Sequence, residues 1–345
     1  MQTTETVLVT GGTGFVAMRC ILQLLQQGYH VRATLRSLSR KPEVLETLRA
    51  NGSTALDHLA FVEADLTSDA NWHEAVTGCT YVLHVASPIF FAPPKDENEQ
   101  LKPAVEGTLR VLRAARDAGV RRVVLTSSFG AVGFSQTDSR TATTEAAWTD
   151  PALKGLSAYE KSKGLAERAA WDFIGREGGG LELSVINPVA ILGPSLSSHV
   201  SGSFDILKHL LDGSLKAVPN ITLNVVDVRD VAELHLRAMT APGAQGQRFI
   251  ASADGHISMP EIARLLQEQF PDAARKVATR TVPDWIIRLA SLFNPQAKTA
   301  AMFLRVSRNV SNAKARSVLG WRPLANNREA VLAAMHSILR YKLAE

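Results

Sequence analysis

Tyr159-Glu160-Lys161-Ser162-Lys163 holds a phenol and an ammonium group four residues apart. On a helix that spacing places both side chains on one face. Thr126-Ser127-Ser128 closes an apolar run upstream and adds hydroxyl groups. Hydride transfer to a carbonyl needs a proton donor beside the carbon that accepts hydride. Ser128, Tyr159 and Lys163 are candidates for that work, provided the fold gathers them.

A second group of residues points to an anionic ligand. Gly11-Gly12-Thr13-Gly14-Phe15-Val16-Ala17 follows the apolar run Val7-Leu8-Val9-Thr10 and opens a segment with helical spacing. In that context the glycines read as a dinucleotide cradle. Gly11 permits the sharp turn, and Gly14 lets the backbone approach a pyrophosphate. The helix N-terminus offers unpaired N–H groups and partial positive charge. Ala17 stands where the helix packs tightly on a sheet. The next strand ends in Arg36, with Ser37, Arg40 and Lys41 close behind. An NAD enzyme commonly carries an acidic residue there for the ribose 2′-hydroxyl. Basic residues instead favour a 2′-phosphate, hence NADP(H). Asp65-Leu66, after the third strand, suits either the adenine edge or a simple turn.

The elements that must position these groups follow from the pattern. Strands are expected at Val7–Thr10, His30–Leu35, Leu59–Glu63, Tyr81–Val85, Arg122–Thr126, Leu183–Ile186 and Phe249–Ser252. Helices are expected at Phe15–Gln27, Asn71–Val76, Leu101–Ala118, Ser157–Arg176, Phe204–Leu211, Asp227–Met239 and Glu329–Tyr341. Strands alternating with helices imply an α/β fold, a doubly wound parallel Rossmann sheet. After Asn187-Pro188 the pattern changes. Residues 1–192 and 223–253 are expected to form the nucleotide-binding domain. Residues 193–222 and 254–345 are expected to form a smaller, mostly helical substrate lobe.

Taken in order, VTGGTGFVA (Val9–Ala17), HVASP (His84–Pro88), VVLTSS (Val123–Ser128), YEKSK (Tyr159–Lys163), NPVAILGP (Asn187–Pro194), VDVRD (Val226–Asp230) and SNAKARSVLGW (Ser311–Trp321) resemble the extended short-chain dehydrogenase/reductase superfamily. The resemblance spans nearly the whole chain. It is strongest to the branch of dihydroflavonol, cinnamoyl-CoA and fungal methylglyoxal (carbonyl) reductases. It implies an oxidoreductase that reduces aldehydes or ketones with NADPH. Tyr159 would be the proton donor. Lys163 would bind the nicotinamide ribose and lower the phenol's pKa from about 10. Ser128, in preference to Ser127, would hold the substrate oxygen. Arg36 and Lys41 would hold the 2′-phosphate, with Arg40 of the same basic loop a further candidate for the cofactor site. Thr13, Phe15, Val16, Val85, Ala86, Ser87, Thr126, Pro188, Val189, Ile191 and Ser203 would complete the cofactor site. Phe90 and Phe129 are candidate substrate residues. Ala104 departs from the superfamily, many of whose members carry an Asn there for a proton relay.

Composition excludes other classes. The 345 residues carry 38 basic and 33 acidic groups, net +5, spread without a long basic run. No nucleic-acid surface is expected from that spread. Cys20 and Cys79 form no metal motif and read as small buried hydrophobes. His84 reads as a packed strand histidine, and Trp285 and Trp321 as core. Met1–Thr6 does not read as a secretory signal, so none is expected, and no stretch reaches about 18 apolar residues. The expectation is a cytoplasmic monomer or homodimer with a small-molecule carbonyl substrate. Three rival readings are an NAD-dependent nucleotide-sugar epimerase or dehydratase, a reductase specific for dihydroflavonol or cinnamoyl substrates, and a non-catalytic NADPH sensor.

Overall fold

A computed structural model of the chain describes residues 5–88 and 96–344. The first half alternates as expected, with one helix, α2, added to those foreseen: β1 (Thr6–Val9), α1 (Phe15–Gln26), β2 (His30–Leu35), α2 (Lys41–Ala50), β3 (Leu59–Glu63), α3 (Trp72–Val76), β4 (Tyr81–His84), α4 (Asn98–Asp117), β5 (Arg122–Thr126), α5 (Ala158–Glu177) and β6 (Glu182–Pro188). Shorter elements follow: β7 (Ala190–Leu192), α6 (Phe204–Leu211), β8 (Val218–Pro219), β9 (Thr222–Leu223), β10 (Val225–Asp227), α7 (Val228–Thr240), β11 (Gln247–Ala251), β12 (Ile257–Ser258), α8 (Met259–Gln269), β13 (Thr281–Val282), α9 (Asp284–Ala290), α10 (Pro295–Phe303), α11 (Ala313–Leu319) and α12 (Asn327–Arg340).

Seven strands pair in the order β3-β2-β1-β4-β5-β6-β11, every pair parallel. A parallel sheet is buried on both faces, which is why its strands read as apolar runs. β1 shows the two-residue period directly. Val7 and Val9 pack with α1 and α7 on one face. Leu8 packs with α4 and α5 on the other. Strand order reverses between β1 and β4, and the carboxyl ends of these strands form a crevice. A separate apolar cluster joins α6, α8 and α12.

The helices begin where local chemistry ends them well. Ser157 and Glu160 make a reciprocal capping box on α5. Ser258 with Glu261, and Asn326 with Glu329, do the same for α8 and α12. Each satisfies backbone donors that the first helical turn leaves free.

One expectation needs correction. Trp321 is core, with its indole N–H donating to Asp230 Oδ1 at 3.1 Å. Trp285 is not: it stands on α9 with 66% of its surface exposed. The two-residue strands of the second half were not foreseen, because they have no periodicity to read. Both cysteines are buried and unpaired. No helix among the described residues is long and apolar enough to cross a membrane.

Asp230 accepts from Trp321 and from the Leu324 N–H at 2.8 Å, while its second oxygen is buried without a partner. Burial raises its carboxyl from 3.8 to about 6. The folded state therefore holds this proton more tightly than the unfolded chain. The stabilising protonation is present at low pH and is lost as pH rises from about 4 to about 6. Asp230→Asn keeps the acceptor oxygen and removes the titration. Its stability relative to the parent chain should grow by about 1 kcal/mol between about pH 5 and pH 7.5, read from urea midpoints at both values. An unchanged difference would show that the carboxyl does not titrate there.

Candidate active site and nucleotide cradle

The glycine turn sits at the strand-order reversal. Gly11 has φ +72°, and a Cβ there would lie 3.0 Å from the Ala86 methyl. Its N–H donates to Thr34 Oγ1 at 3.0 Å. Gly14 caps α1, and a Cβ on it would press on the Gly11 carbonyl at 3.2 Å. No side chain caps α1, and its first turn holds no acidic residue. Its leading N–H groups are thus left for an anion, so the cradle fits a dinucleotide. Phe15 packs edge-on against Phe204 of α6, with 5.3 Å between ring centroids.

Thr10 organises the wall opposite. Its hydroxyl oxygen accepts from the Val85 and Ala86 N–H groups at 3.0 and 2.9 Å. Its proton is then directed to His84 Nδ1, 3.0 Å away. Burial lowers the His84 pKa to about 3, helped by the charge of Lys163. His84 is therefore a neutral packed histidine, as its strand position implied.

Ser128 and Ser127 separate clearly. Ser127 is buried, and its hydroxyl donates to Glu167 Oε2 at 2.5 Å. Ser128 is partly exposed, and its hydroxyl oxygen accepts from the Gly130 N–H at 3.0 Å. The turn that follows packs on α5, where a Cβ at Gly130 would lie 3.2 Å from Glu160. Tyr159 lies in that same first turn of α5, with 43% of its surface exposed. One turn on, Lys163 Nζ donates to the Thr126 carbonyl at 3.1 Å. The Thr126 hydroxyl points the other way, to His235 Nε2 at 2.6 Å. His235 Nδ1 faces only the Val231 carbonyl, 2.7 Å away, so it carries the ring proton and Nε2 accepts. Burial lowers His235 to about 4.

The expected tuning of Tyr159 by Lys163 is not what this geometry gives. Partial desolvation, with the Glu160 carboxylate adding to it, pushes the phenol upward from its usual value. Burial lowers Lys163 to about 8, against the pull of Glu167. The ammonium is spent on a backbone carbonyl rather than on the phenol.

Behind Lys163 lies a network that the sequence reading missed. Glu167 is fully buried. It accepts from Ser127, from Asn187 Nδ2 at 2.7 Å and from Arg248 Nε at 2.5 Å. Asn187 Nδ2 also reaches the Ser128 carbonyl at 3.3 Å. The Arg248 guanidinium stacks on Trp148, with Cζ 3.7 Å from the ring centroid. Glu167 follows Lys163 at the spacing by which Lys163 follows Tyr159, and that repeat was the available signal. A small recess of about 10 Å³ lies between Ala86, Ser87, Ala104, Thr108, Lys163 and Glu167. Ala104 contributes only a methyl group to it, so an Asn-type relay has no counterpart at that position.

The remaining predicted residues divide. Arg40 Nη1 donates to Thr13 Oγ1 at 3.2 Å, which joins the basic loop to the cradle. Arg36 is exposed at the end of β2. Lys41 instead lies over the Phe61 ring, 5.6 Å from its centroid. Asp65 is a turn carboxylate held below its usual range by the Thr67 hydroxyl and N–H. The Leu66 side chain fills the space beside Gly107. Val16 is buried. The Ser203 hydroxyl accepts from the Ile191 N–H at 3.2 Å, so these two residues meet. Val189 N–H donates to the Ala251 carbonyl at 3.1 Å, with Pro188 ending β6 beside it. Phe129 is corrected: only 4% exposed, it packs under Gly133 and against Phe134 and belongs to the core. Phe90 and Phe91 lie outside the described residues.

A doubly wound sheet with a glycine cradle at its reversal point, and Ser, Tyr and Lys around the neighbouring strand end, defines a Rossmann-type dinucleotide-binding protein. Residues 7–251 match the NAD dependent epimerase/dehydratase family, and the chain belongs to it. Among curated relatives, anthocyanidin reductase ((2S)-flavan-3-ol-forming) of Vitis vinifera is 34% identical over 77% of this chain and 81% of its own length. Cinnamoyl-CoA reductase 1 of Petunia hybrida is 37% identical over 78% of each chain. Among solved structures, yeast methylglyoxal/isovaleraldehyde reductase Gre2 complexed with NADPH superposes with a TM-score of 0.80 at 26% identity, covering 99% of this chain and 100% of that one.

The two serines predict opposite phenotypes. Ser127→Ala removes a hydrogen bond to a buried carboxylate and should cost about 1.5–3 kcal/mol of stability, seen as a lower urea midpoint. Ser128→Ala should cost about 1 kcal/mol or less and instead reduce turnover. The reverse pattern would exchange their roles.

Proposed function

We propose that the chain is an NADPH-dependent reductase that converts aldehydes or ketones to alcohols. One observation carries the reading: Tyr159 and Lys163 lie one helical turn apart, beside the strand end that bears Ser128, next to the glycine cradle. The reductase relatives, and the NADPH-bound yeast structure among the neighbours, support the same class.

In this reading NADPH, when bound, supplies the hydride. The rest falls to the chain's own groups. The α1 N-terminus and the Gly11–Gly14 turn hold the pyrophosphate. Arg36 and Arg40 engage the 2′-phosphate, Asp65 stands near the adenine, and Lys163 holds the nicotinamide ribose. Ser128 Oγ binds the substrate oxygen and stabilises charge developing on it. Tyr159 is protonated at neutral pH, its phenol held above the usual value, and so holds the proton that the alkoxide needs. A positioned general acid contributes typically 10²–10⁴-fold. Arg36 and Arg40 stand where an NAD enzyme would carry an acid, which favours NADPH over the NAD-dependent epimerase reading.

The test is oxidation of NADPH and NADH with aldehydes, α-dicarbonyls, aryl ketones, a cinnamoyl thioester and a dihydroflavonol. We expect turnover with NADPH. Tyr159→Phe should lower kcat by roughly 100-fold or more and leave the Kd for NADPH unchanged. Near-parental turnover by Tyr159→Phe would remove the proton-donor role. Turnover confined to the dihydroflavonol or the thioester would narrow the substrate class. No turnover of any carbonyl would overturn the reductase reading.

A further inference from the structure

The Arg40 guanidinium is surrounded. Nε and Nη2 donate to the two carboxylate oxygens of Glu43, each at 3.0 Å. Nη1 donates to Thr13 Oγ1 at 3.2 Å. Nη2 also lies 2.6 Å from His199 Nε2. An Arg and a Glu three residues apart at a helix start are a common surface pair. The convergence here is not of that kind. Thr13 comes from the glycine turn, and His199 comes from the segment between β7 and α6.

His199 Nε2 lies 2.7 Å from Glu43 Oε1 as well. An imidazole nitrogen carries either a proton or an available lone pair. With the lone pair, Nε2 accepts from Arg40. With the proton, it donates to Glu43 and faces Arg40 donor to donor. The two contacts are therefore alternatives. The carboxylate is shared between Arg40 on one side and His199 on the other.

We propose that Glu43 is an internal counter-anion that competes with the cofactor's 2′-phosphate for Arg40, and that His199 receives the carboxylate when the phosphate takes the guanidinium. The proposal rests on placing Arg40 in the phosphate pocket. Guanidinium binds carboxylate and phosphate with the same forked geometry, so one anion can replace the other at Arg40. NADH carries only a hydroxyl at that ribose position and does not displace Glu43. The exchange couples phosphate recognition to the 193–200 segment through His199. It makes Glu43 and His199 specificity-determining residues rather than a surface ion pair.

The test needs no turnover. Dissociation constants are measured for NADPH, NADH and 2′,5′-ADP by calorimetry. All three side chains are partly exposed, so their replacement leaves the core intact. Glu43→Gln should tighten NADPH and 2′,5′-ADP by about five- to tenfold and leave NADH unchanged. His199→Ala should weaken NADPH by about threefold or more in the parent chain and have no effect in the Glu43→Gln background. Unchanged or weaker NADPH binding by Glu43→Gln would overturn the competition. Equal effects of His199→Ala in both backgrounds would overturn the hand-over. Arg40→Gln should abolish the preference for NADPH over NADH. A preference retained in Arg40→Gln would place the phosphate elsewhere and fail the underlying site assignment instead.

Discussion

The geometry of the proposed acid–base site depends on one buried carboxylate. Glu167 has no exposed surface, and a charge in that position must be compensated on every side. Ser127 at the end of β5, Asn187 on β6 and Arg248 on β11 supply the compensation. Each partner comes from a different strand, so the carboxylate ties α5 to three strands at once. A slip of α5 by one residue would rotate its faces by about 100° and carry Glu167 away from all three. Replacing a buried pair with apolar groups is often neutral for stability, whereas breaking one costs roughly 3–5 kcal/mol. The pair therefore acts mainly on register. The register of α5 in turn sets where Lys163 and Tyr159 stand over the strand ends.

The same economy of hydrogen bonds shapes the crevice walls. The Thr10 hydroxyl serves two backbone donors from the chain leaving β4, and its own proton goes to His84. Thr126 divides its two groups. Its hydroxyl satisfies neutral His235 inside the core, and its carbonyl holds Lys163 at the surface of the crevice. Burial keeps both histidines uncharged. Lys163, held beside them by the Thr126 carbonyl, is the group with a proposed part in the chemistry.

Much of this was legible in the sequence where a physical constraint acts locally. β2, β3 and β5 fall where their apolar runs end. The glycine turn needs a positive φ at Gly11 and bare backbone at Gly14. Tyr159 and Lys163 announce themselves by helical spacing. What stayed hidden depends on residues distant in sequence. Nothing local marks Arg248 as the counter-charge of Glu167, or His199 as a neighbour of Arg40. Ser127 and Ser128 could be ranked by resemblance but separated only by seeing which one faces Glu167. Phe129 and Trp285 were misjudged for one shared reason. An aromatic residue in or near a loop gives no sign of which side the chain will cover, and here Phe129 was covered and Trp285 left bare.

The two ends of the crevice are built on opposite principles, and their chemistry asks for it. Proton donation tolerates little misplacement, so the groups proposed for it hang from a helix locked by a buried ion pair. Dinucleotide phosphates must be captured and released, and a fully desolvated Arg–Glu pair would be too costly to open. The Arg40, Glu43 and His199 side chains, proposed to exchange a carboxylate for a phosphate, are instead partly exposed, where water lowers the cost of such an exchange. In the proposed reading, burial fixes the end where position matters, and exposure frees the end where exchange matters.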